Sequence, residues 1–321
     1  PVQSLIVDRG QLESAWPVNG SVLVEQGIAY FAAGRSSYLD GGVSVFGLNP
    51  ETGEMIHNKV VAGPYEEDNE NFPTRGERTF RLGGFKSGIF SVSDGKLFLR
   101  QQAFQPDLTP VSMDKITEPH LIPSHGFLDS VPQHRTYWTV DIDLCYGGPT
   151  SITGYGPLGD TTAFADGEFF EVRGYSPGRN LPKRGADLTP FNTHSVFAGK
   201  LTAAKKGDVW ISRKGKTIPE VGTWEKNWSV STPFAGHAIS VCENAVVVAG
   251  VPMTEGFSQE DTNDAFQGKK GGVLWMIDKA SGDRLQEFNL PAAPGWDSIA
   301  IASEMCVLSL KDGTIMGLAA E

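Results

Sequence analysis

The most regular feature of this sequence is a repeated pattern in which an apolar strand, a tight polar turn and a second apolar strand follow one another. It occurs five times, at Val22 to Phe31, Phe90 to Leu99, Thr162 to Glu171, Ile239 to Val248 and Ile299 to Leu308. Three residues before the central turn position stand Val24, Val92, Phe164, Val241 and Ile301, and three residues after it stand Tyr30, Phe98, Phe170, Val247 and Val307. This shared register predicts five β-hairpins, each with one apolar side.

The residues between the paired strands favour tight turns. Ser93-Asp94-Gly95 and Ala165-Asp166-Gly167 carry Asp-Gly at the turn, while Glu243-Asn244 and Ser303-Glu304 hold the same place in the last two hairpins. Asp-Gly and Glu-Asn suit turns whose central residues need positive φ. We therefore expect short, well-defined connections between the two strands of each hairpin.

A second repeated element follows the hairpins. Phe46 to Glu54 matches Trp275 to Asp283, because in each a strand ends in Asn or Asp, a turn closes on Gly and another strand begins. Asn and Asp side chains can bond the turn backbone while Gly takes the left-handed position. Val307 to Leu318, with Lys311-Asp312-Gly313 as its turn, is a shortened version of the same element.

Together the two repeats predict an all-β fold, a β-propeller of four-stranded blades with about five blade units in this chain. A blade takes about 40 to 45 residues, and the hairpins here lie farther apart, so long insertions must separate them. The insertions run from Ala62 to Lys86, from Phe104 to Arg135 and from Tyr175 to His194. Loops this long in a compact β domain are usually functional. One short helix is predicted, at Gln259 to Phe266.

The start of the chain leaves two ways to complete the ring. Ser4 to Val7 forms one predicted strand with no hairpin partner before it. As the outer strand of the last blade, it closes five blades into a ring; as the end of a blade that begins upstream, it makes residues 1–321 part of a seven- or eight-bladed propeller. We favour the second arrangement. The chain starts at Pro1 without a Met or a signal peptide, so its N-terminus gives no information on targeting.

Composition narrows the classes of function. Asp and Glu number 38 against 27 for Lys and Arg, a formal net charge of -11, and so acidic a surface repels phosphate backbones and anionic lipid. This argues against nucleic-acid binding, and no stretch approaches the roughly 18 apolar residues of a membrane span. The three cysteines, Cys145, Cys242 and Cys306, form no CxxC spacing, which predicts free thiols among packed strands, with one disulfide as the alternative.

Two pairs of segments resemble a known family. LNPETGEMI and IDKASGDRL resemble the docking repeats of PQQ-like propellers, also called quinoprotein-alcohol-dehydrogenase-like propellers. Ala15 to Gly42 and Gly126 to Trp138 resemble a bacterial group of large PQQ-like repeat proteins, in which such a propeller often follows a methyltransferase-like domain. The resemblance covers nearly the whole chain, and it implies the C-terminal part of a longer propeller located in the periplasm or outside the cell.

The resemblance does not extend to the dehydrogenase site. PQQ dehydrogenases of this family carry two adjacent, disulfide-bonded cysteines beside the cofactor, and Glu, Asn and Asp ligands for a calcium ion. No two cysteines are adjacent in this chain, and the docking tryptophan of the repeat is replaced. We therefore expect no bound quinone, no other cofactor and no metal.

The first candidate ligand-binding segment runs from Gly34 to Gly42 and interrupts what should be a simple connection between two strands. Arg35 offers a planar fork of five donors that suits a carboxylate or a sulfate. Ser36, Tyr38 and Asp40 add hydroxyl and carboxylate partners. The alternative is that Arg35 and Asp40 pair with each other and only hold the loop.

The second candidate segment ends at Trp138 and contains His120, His125, Asp129, His134, Arg135 and Tyr137. Its His and Asp spacing fits no standard zinc pattern, so no metal site is predicted. His134, Arg135 and Tyr137 provide a group that titrates near neutrality, a fixed cation and a phenol, which suits proton transfer on a carbohydrate or uronate. The alternatives are ligand binding without catalysis, through His120 and Arg135, and simple anchoring of the loop.

Packing between blades is the default prediction for the seven tryptophans. The alternative for Trp224 and Trp228 is that they stack on a sugar.

The leading functional hypothesis is a non-catalytic propeller module that binds a protein partner or a polar ligand, including a carbohydrate, through long loops on one face. The alternative is an extracytoplasmic carbohydrate-active enzyme, a polysaccharide lyase or glycoside hydrolase, in which His134 and Tyr137 are catalytic and Arg35 assists. A pure scaffold is the third hypothesis. Under either of the first two, we expect Arg35, Asp40, His134 and Arg135 to converge on one face.

Overall fold

The structure is a computed structural model, and it describes residues 4–8, 10–18, 20, 22–37, 39–63, 87–99, 102–112, 115–123, 138–140, 161–173, 194–202, 209–211, 217–219, 223–302 and 305–319. The chain divides into two units. The first unit comprises residues 1–156 and 203–223, and the second comprises residues 157–202 and 224–321. None of the described residues belongs to a helix that is long and apolar enough to cross a membrane.

The elements up to residue 140 are β1 (Leu5–Asp8), β2 (Gln11–Ser14), β3 (Leu23–Glu25), β4 (Ile28–Ala33), β5 (Val43–Leu48), β6 (Met55–Val61), β7 (Phe90–Ser93), β8 (Lys96–Leu99), β9 (Gln102–Phe104), β10 (Pro110–Val111), β11 (Leu121–Pro123) and β12 (Trp138–Val140). The later elements are β13 (Thr161–Ala165), β14 (Glu168–Arg173), β15 (Ser195–Thr202), β16 (Val209–Ile211), β17 (Thr217–Pro219), β18 (Thr223–Ser231), β19 (Phe234–Val241), β20 (Ala245–Pro252), α1 (Gln259–Phe266), β21 (Gly272–Asp278), β22 (Arg284–Leu290), β23 (Pro294–Ala302), β24 (Met305–Leu310) and β25 (Ile315–Ala319).

Antiparallel pairing groups nineteen of the described strands into five blades, and the other six form the two-stranded sheets β1-β2, β11-β12 and β16-β17. Blade 1 is β3-β4-β5-β6, blade 2 is β7-β8-β9-β10, blade 3 is β13-β14-β15-β18, and blade 4 is β19-β20-β21-β22. Blade 5 has three strands in the described part of the chain, β23-β24-β25. The first two strands of every blade are one of the five predicted hairpins. The prediction of an all-β fold built from propeller blades is therefore confirmed.

The hairpin turns mostly have the predicted backbone. Positive φ occurs at Gln26-Gly27, Asp94-Gly95 and Asp166-Gly167, with values between 47° and 77°, which matches the right-handed twist of the paired strands. The prediction is wrong for Glu243-Asn244, because neither residue is among the described residues with positive φ. That turn is instead closed by the backbone N–H of Cys242, which donates to the Ala245 carbonyl at 2.9 Å. Ser303-Glu304 lies outside the described residues.

The pairing register corrects the prediction of one apolar side per hairpin. Leu23 pairs with Tyr30, and Val24 pairs with Ala29. Because directly paired residues share a face and neighbours alternate, Val24 and Tyr30 point to opposite faces. Tyr30 is buried, whereas Val24 is 60% exposed. The repeat therefore marks both faces of a blade.

Strand β20 shows why both faces are apolar. Val246 and Val248 pack in a core cluster with blade 3, while Val247 and Ala249 pack in another cluster with blade 5. All four side chains are buried. A strand that is covered on both faces needs a continuous apolar run rather than an alternating one. In the first unit, blades 1 and 2 likewise share a core, and the Tyr30 hydroxyl donates to the Pro106 carbonyl at 2.8 Å.

The second repeated element also forms as predicted. The side-chain Oδ1 of Asn49 accepts hydrogen bonds from two backbone N–H groups of its turn, and Oδ1 of Asp278 does the same in blade 4. Gly53 and Gly282 follow with φ of 73° and 80°. The predicted helix is present as α1, and it begins with a capping box between Ser258 and Asp261.

The predicted strand at Ser4 to Val7 is present as β1, and the two arrangements expected for it in the ring stay predictions. It forms a hairpin with β2, Gln11–Ser14. The sequence pattern does not indicate this partner, because only one residue of β2, Leu12, is apolar. Two described cysteines, Cys242 and Cys306, are free thiols, and Cys145 lies outside the described residues.

Candidate functional site

The loop from Gly34 to Gly42 joins the two central strands of blade 1. Nε and Nη2 of Arg35 both donate to Oδ2 of Asp40, at 2.9 and 2.6 Å. The two side chains are 35% and 23% exposed, so the pair lies open to solvent. The structure thus shows the Arg35–Asp40 pairing that the sequence left as an alternative, with both side chains partly exposed.

Buried hydroxyl groups hold this loop in place. The Ser37 hydroxyl donates to the Gly63 carbonyl, and the Gly63 N–H donates back to the Ser37 carbonyl at 2.9 Å. The Ser87 hydroxyl donates to the Gly34 carbonyl at 2.6 Å. Ser36 is also buried. The Arg35–Asp40 pair therefore lies on a loop whose ends are held by hydrogen bonds.

Backbone conformation contributes to the same rigidity. Gly34 and Gly42 have φ of 133° and 116°, and Asp40 lies in the left-handed region with φ of 54°. A Cβ atom at Gly42 would stand 2.5 Å from the Val61 carbonyl oxygen. Only glycine fits at Gly42, which lets the loop return closely against β6.

His120 is the other described candidate, and it lies in the first unit beside blade 2. Its ring is buried and stacks on Phe98, with 4.1 Å between ring centroids and 14° between ring planes. Its Nδ1 lies 3.4 Å from the Glu118 carbonyl oxygen. The residue is thus held among packed groups beside blade 2, whereas Arg35 lies on a loop of blade 1.

Four candidate residues, Tyr38, His134, Arg135 and Tyr137, lie outside the described residues. Among the described candidates, the structure shows a direct side-chain contact between Arg35 and Asp40. The convergence of that pair with His134 and Arg135 stays a prediction.

Trp224 and Trp228 are packed within the second unit. Trp224 lies edge-on to Phe169, with ring centroids 5.7 Å apart. The indole N–H of Trp228 donates to the Lys279 carbonyl at 2.9 Å, and its ring lies against Gly282. These contacts are those of packing side chains, the default prediction for both residues.

The second unit contains a polar cluster that the sequence pattern did not single out. His237 on β19 is 1% exposed, and its Nδ1 lies 3.3 Å from the Pro294 carbonyl oxygen on β23. Its ring stacks on Trp296, with centroids 4.1 Å apart and planes 24° apart. Trp296 is nevertheless 52% exposed. The cluster therefore combines a fully covered imidazole with a partly open indole.

Electrostatics set this cluster apart from its surroundings. Burial lowers the pKa of His237 to about 4, with the Lys311 charge acting in the same direction and the hydrogen bond to Pro294 opposing it. Desolvation of the carboxyl group raises the pKa of Asp297 to about 6, although the residue as a whole is exposed. A neutral imidazole on β19 and a carboxyl group of raised pKa on β23 thus lie on two strands that contact each other.

The sequence does contain a signal for this cluster. His237 is the one ionisable residue in the apolar run of β19, and Gly295-Trp296-Asp297-Ser298 interrupts the apolar pattern at the start of β23. Interruptions of this kind mark β-bulges, which often lie beside functional sites.

No protein-family model matches the chain, and no characterised protein sequence matches it. Among solved structures, BamB from Moraxella catarrhalis matches with a TM-score of 0.34 and 11% identity, over 98% of this chain and 85% of that one. Dihydro-heme d1 dehydrogenase NirN in complex with DHE matches with a TM-score of 0.29 and 12% identity, over 94% and 54% of the two chains. A europium-containing methanol dehydrogenase matches with a TM-score of 0.29 and 12% identity, over 98% and 74%. These similarities are too remote to transfer any site residue to this chain, whose propeller blades are established by its own strand pairing.

Proposed function

We propose that this chain is a non-catalytic PQQ-like propeller module of the periplasm or the cell exterior. It binds an acidic ligand, a carboxylate-bearing glycan or an acidic protein segment, through its polar loops, with Arg35 as the anchor. The observation that carries the proposal is the geometry of the Arg35–Asp40 pair. Two guanidinium donors converge on one oxygen of Asp40 at a solvent-open position.

A ligand carboxylate can improve on this arrangement. The guanidinium fork matches a carboxylate best when two parallel N–H groups meet two oxygens. In the structure both donors of Arg35 meet the same oxygen, Oδ2 of Asp40. A surface ion pair contributes only about 0 to 1 kcal/mol, so exchanging Asp40 for a better-matched ligand carboxylate costs little.

The loop is also prepared for binding. Its base is fixed by the Ser37 and Ser87 hydroxyl groups and by the glycine conformations at its two ends. A ligand that meets a fixed loop does not have to order it, and this saving favours affinity. Tyr38 stays a candidate for an additional polar contact on the same loop, and Arg135 for a contact from the following insertion. Ser36 and His120 are buried and are left out of the proposed site.

Binding to an array of uronate oligosaccharides, sulfated oligosaccharides and acidic peptides tests the proposal. We expect saturable retention of at least one of these classes, and a loss of about tenfold or more in affinity for Arg35→Gln. Arg284→Gln is the matched control, because Arg284 forms the same kind of exposed ion pair with Glu287. Retention of no acidic ligand, or equal affinity of Arg35→Gln and the wild type, would contradict the proposal.

Asp40→Asn separates ligand exchange from loop anchoring. Asn keeps the size of the side chain and tolerates the left-handed backbone of Asp40, but it no longer competes as an anion for Arg35. If the ligand displaces Asp40, the variant binds the acidic ligand at least as tightly as the wild type. If Asp40 only holds the loop, the variant loses both affinity and unfolding midpoint.

A further inference from the structure

One face of the blade 1 sheet is apolar and only partly buried. Leu23 and Tyr30 pack in the core shared with blade 2, and neighbouring residues of a strand point to the opposite face. The residues on that opposite face are Val24, Ala29, Phe31, Phe46 and Leu48, which we call the open face of blade 1. Val24 is 60% exposed, and none of the other four is fully buried.

The same face of blade 4 is covered by a neighbouring blade. By strand pairing and position before the following turn, four residues of the open face have counterparts in blade 4, which are Val246, Val248, Trp275 and Ile277. These four side chains are buried in one core cluster with residues of blade 3. An apolar sheet face that is covered in one blade and open in another marks a surface for interaction.

The turns that follow β5 and β21 show the same difference. Both have the same backbone hydrogen bonds and the same glycine conformation. In blade 4, the indole N–H of Trp228 from blade 3 donates to the Lys279 carbonyl at 2.9 Å, and a Cβ atom at Gly282 would lie 2.7 Å from the indole ring. In blade 1, Pro50 and Gly53 are exposed, and a Cβ atom at Gly53 would meet nothing within 4 Å. The place that receives an indole in blade 4 is therefore open in blade 1.

The two turns differ in charge. In blade 4, the Lys279 ammonium pairs with the Asp166 carboxylate of the covering blade. Blade 1 has Pro50 at the position of Lys279, followed by the exposed Glu51 and Glu54, and within the described residues neither carboxylate belongs to an ion pair. A complementary surface supplies Lys or Arg at this place. The net charge of -11 makes a second copy of the chain an unfavourable occupant.

We propose that the open face of blade 1 and its adjoining turn bind a β-sheet of a basic partner protein, which places a tryptophan side chain on Gly53 with its indole N–H directed at the Pro50 carbonyl. Phe31 and Phe46 stack on the two central strands with ring centroids 5.1 Å apart and give the surface an aromatic centre, as is common in protein interfaces. This surface goes beyond the proposed function. It takes a basic protein, whereas the Arg35 loop, at the other end of β4 and β5, takes an acidic ligand.

Fluorescence anisotropy of a labelled, cyclic β-hairpin peptide that carries one tryptophan and several lysines tests this surface on the full chain. The matched probe is the same peptide with alanine in place of tryptophan. We expect saturable binding of the tryptophan peptide, and affinity lower by about tenfold or more for the alanine peptide. Binding of the tryptophan peptide should also weaken with added salt, and the double variant Glu51→Gln, Glu54→Gln should lose most of this salt dependence.

Val24→Lys places a cation on the open face and should weaken binding of the tryptophan peptide about tenfold or more. Its unfolding midpoint should stay close to that of the wild type, because Val24 is exposed. Leu285→Lys is the matched control, since Leu285 is a 53% exposed apolar residue on the outer strand of blade 4. This control should bind the peptide as the wild type does. Arg35→Gln should do so too, which keeps the test independent of the proposed function.

Three results would overturn the proposal. The first is that the wild type binds neither peptide, or binds both equally. The second is that Val24→Lys binds the tryptophan peptide as tightly as Leu285→Lys does. The third concerns the other possible occupant and is measured by sedimentation velocity: self-association of the wild type that Val24→Lys abolishes would assign the open face to a second copy of the chain.

Discussion

Acidification from pH 7 to pH 5 is expected to destabilise the protein through two buried histidines of its second unit. His237 and His194 are both buried, and burial lowers the pKa of each from the usual 6.5 to about 4. A histidine whose pKa is lower in the folded state binds its proton more readily once the chain unfolds. Each of these residues therefore opposes folding in mild acid.

The size of the effect follows from the two pKa values. Above pH 6.5 the imidazole is neutral in both states, and its contribution to stability is fully present. As the pH falls from 6.5 towards 4, the imidazole is protonated in the unfolded chain but not in the folded protein, so stability is lost. Below pH 4 it is protonated in both states and the loss is complete. At pH 5, protonation of one such histidine shifts the folding equilibrium about 30-fold towards the unfolded state, which corresponds to about 2 kcal/mol for each histidine.

Urea unfolding at pH 7 and pH 5 measures this effect, with His237→Phe as the comparison. Phe keeps a ring against Trp296 but cannot take up a proton. Between the two pH values, the wild type should lose about 2 kcal/mol more unfolding free energy than the variant. Groups common to both proteins cancel in this comparison, including Asp297, whose raised pKa acts in the opposite direction. An equal loss in wild type and variant would refute the reasoning.

Three further substitutions test the fold. Gly42→Ala combines a φ of 116° with a contact of 2.5 Å to a β6 carbonyl, so it should lower the unfolding free energy by more than Gly53→Ala, whose Cβ meets nothing within 4 Å; equal losses would show that the loop adapts. Leu308→Ala, in the core between blades 4 and 5, should lose about 2 to 5 kcal/mol in urea unfolding, whereas the exposed Ile315→Ala should stay within about 0.5 kcal/mol; similar values for the two would argue against this packing. Asp166→Asn removes an ion pair between blades 3 and 4 in which the Asp166 side chain is 80% exposed, and thermal unfolding should show almost no change in midpoint; a large drop would assign that pair a structural role.

The blades could be predicted from the sequence because their signals are local. Turns such as Asp94-Gly95 and the Asx turn at Asn49 lie next to the strands that they join, so composition and spacing are enough to find them. The face of each side chain was harder to predict. Val24 and Tyr30 lie at equal distances from the turn in the sequence, but the face to which each side chain points depends on which residues pair across the turn. The partner of β1 was missed because β2 has almost no apolar pattern.

The candidate sites also differ in how far apart their contacting residues lie in the sequence. Arg35 and Asp40 are five residues apart, so their pairing could be foreseen from the sequence as one of two outcomes. His237 and Pro294 are 57 residues apart, and their contact depends on bulges in two separate strands. No periodic pattern in the sequence predicts this contact, since each bulge by itself is only a break in an apolar pattern.

The central claim is that this propeller module binds an acidic ligand without converting it. Recovery of the bound ligand tests this claim most directly. Wild-type protein and Arg35→Gln are incubated with the acidic glycans and peptides, and both the retained and the released material are analysed by mass spectrometry. We predict that the wild type retains one class of ligand with unchanged mass and that Arg35→Gln retains much less. Release of unsaturated or hydrolysed sugars by the wild type would contradict the claim and favour a lyase or hydrolase, and retention that is equal in both proteins would remove Arg35 from the site.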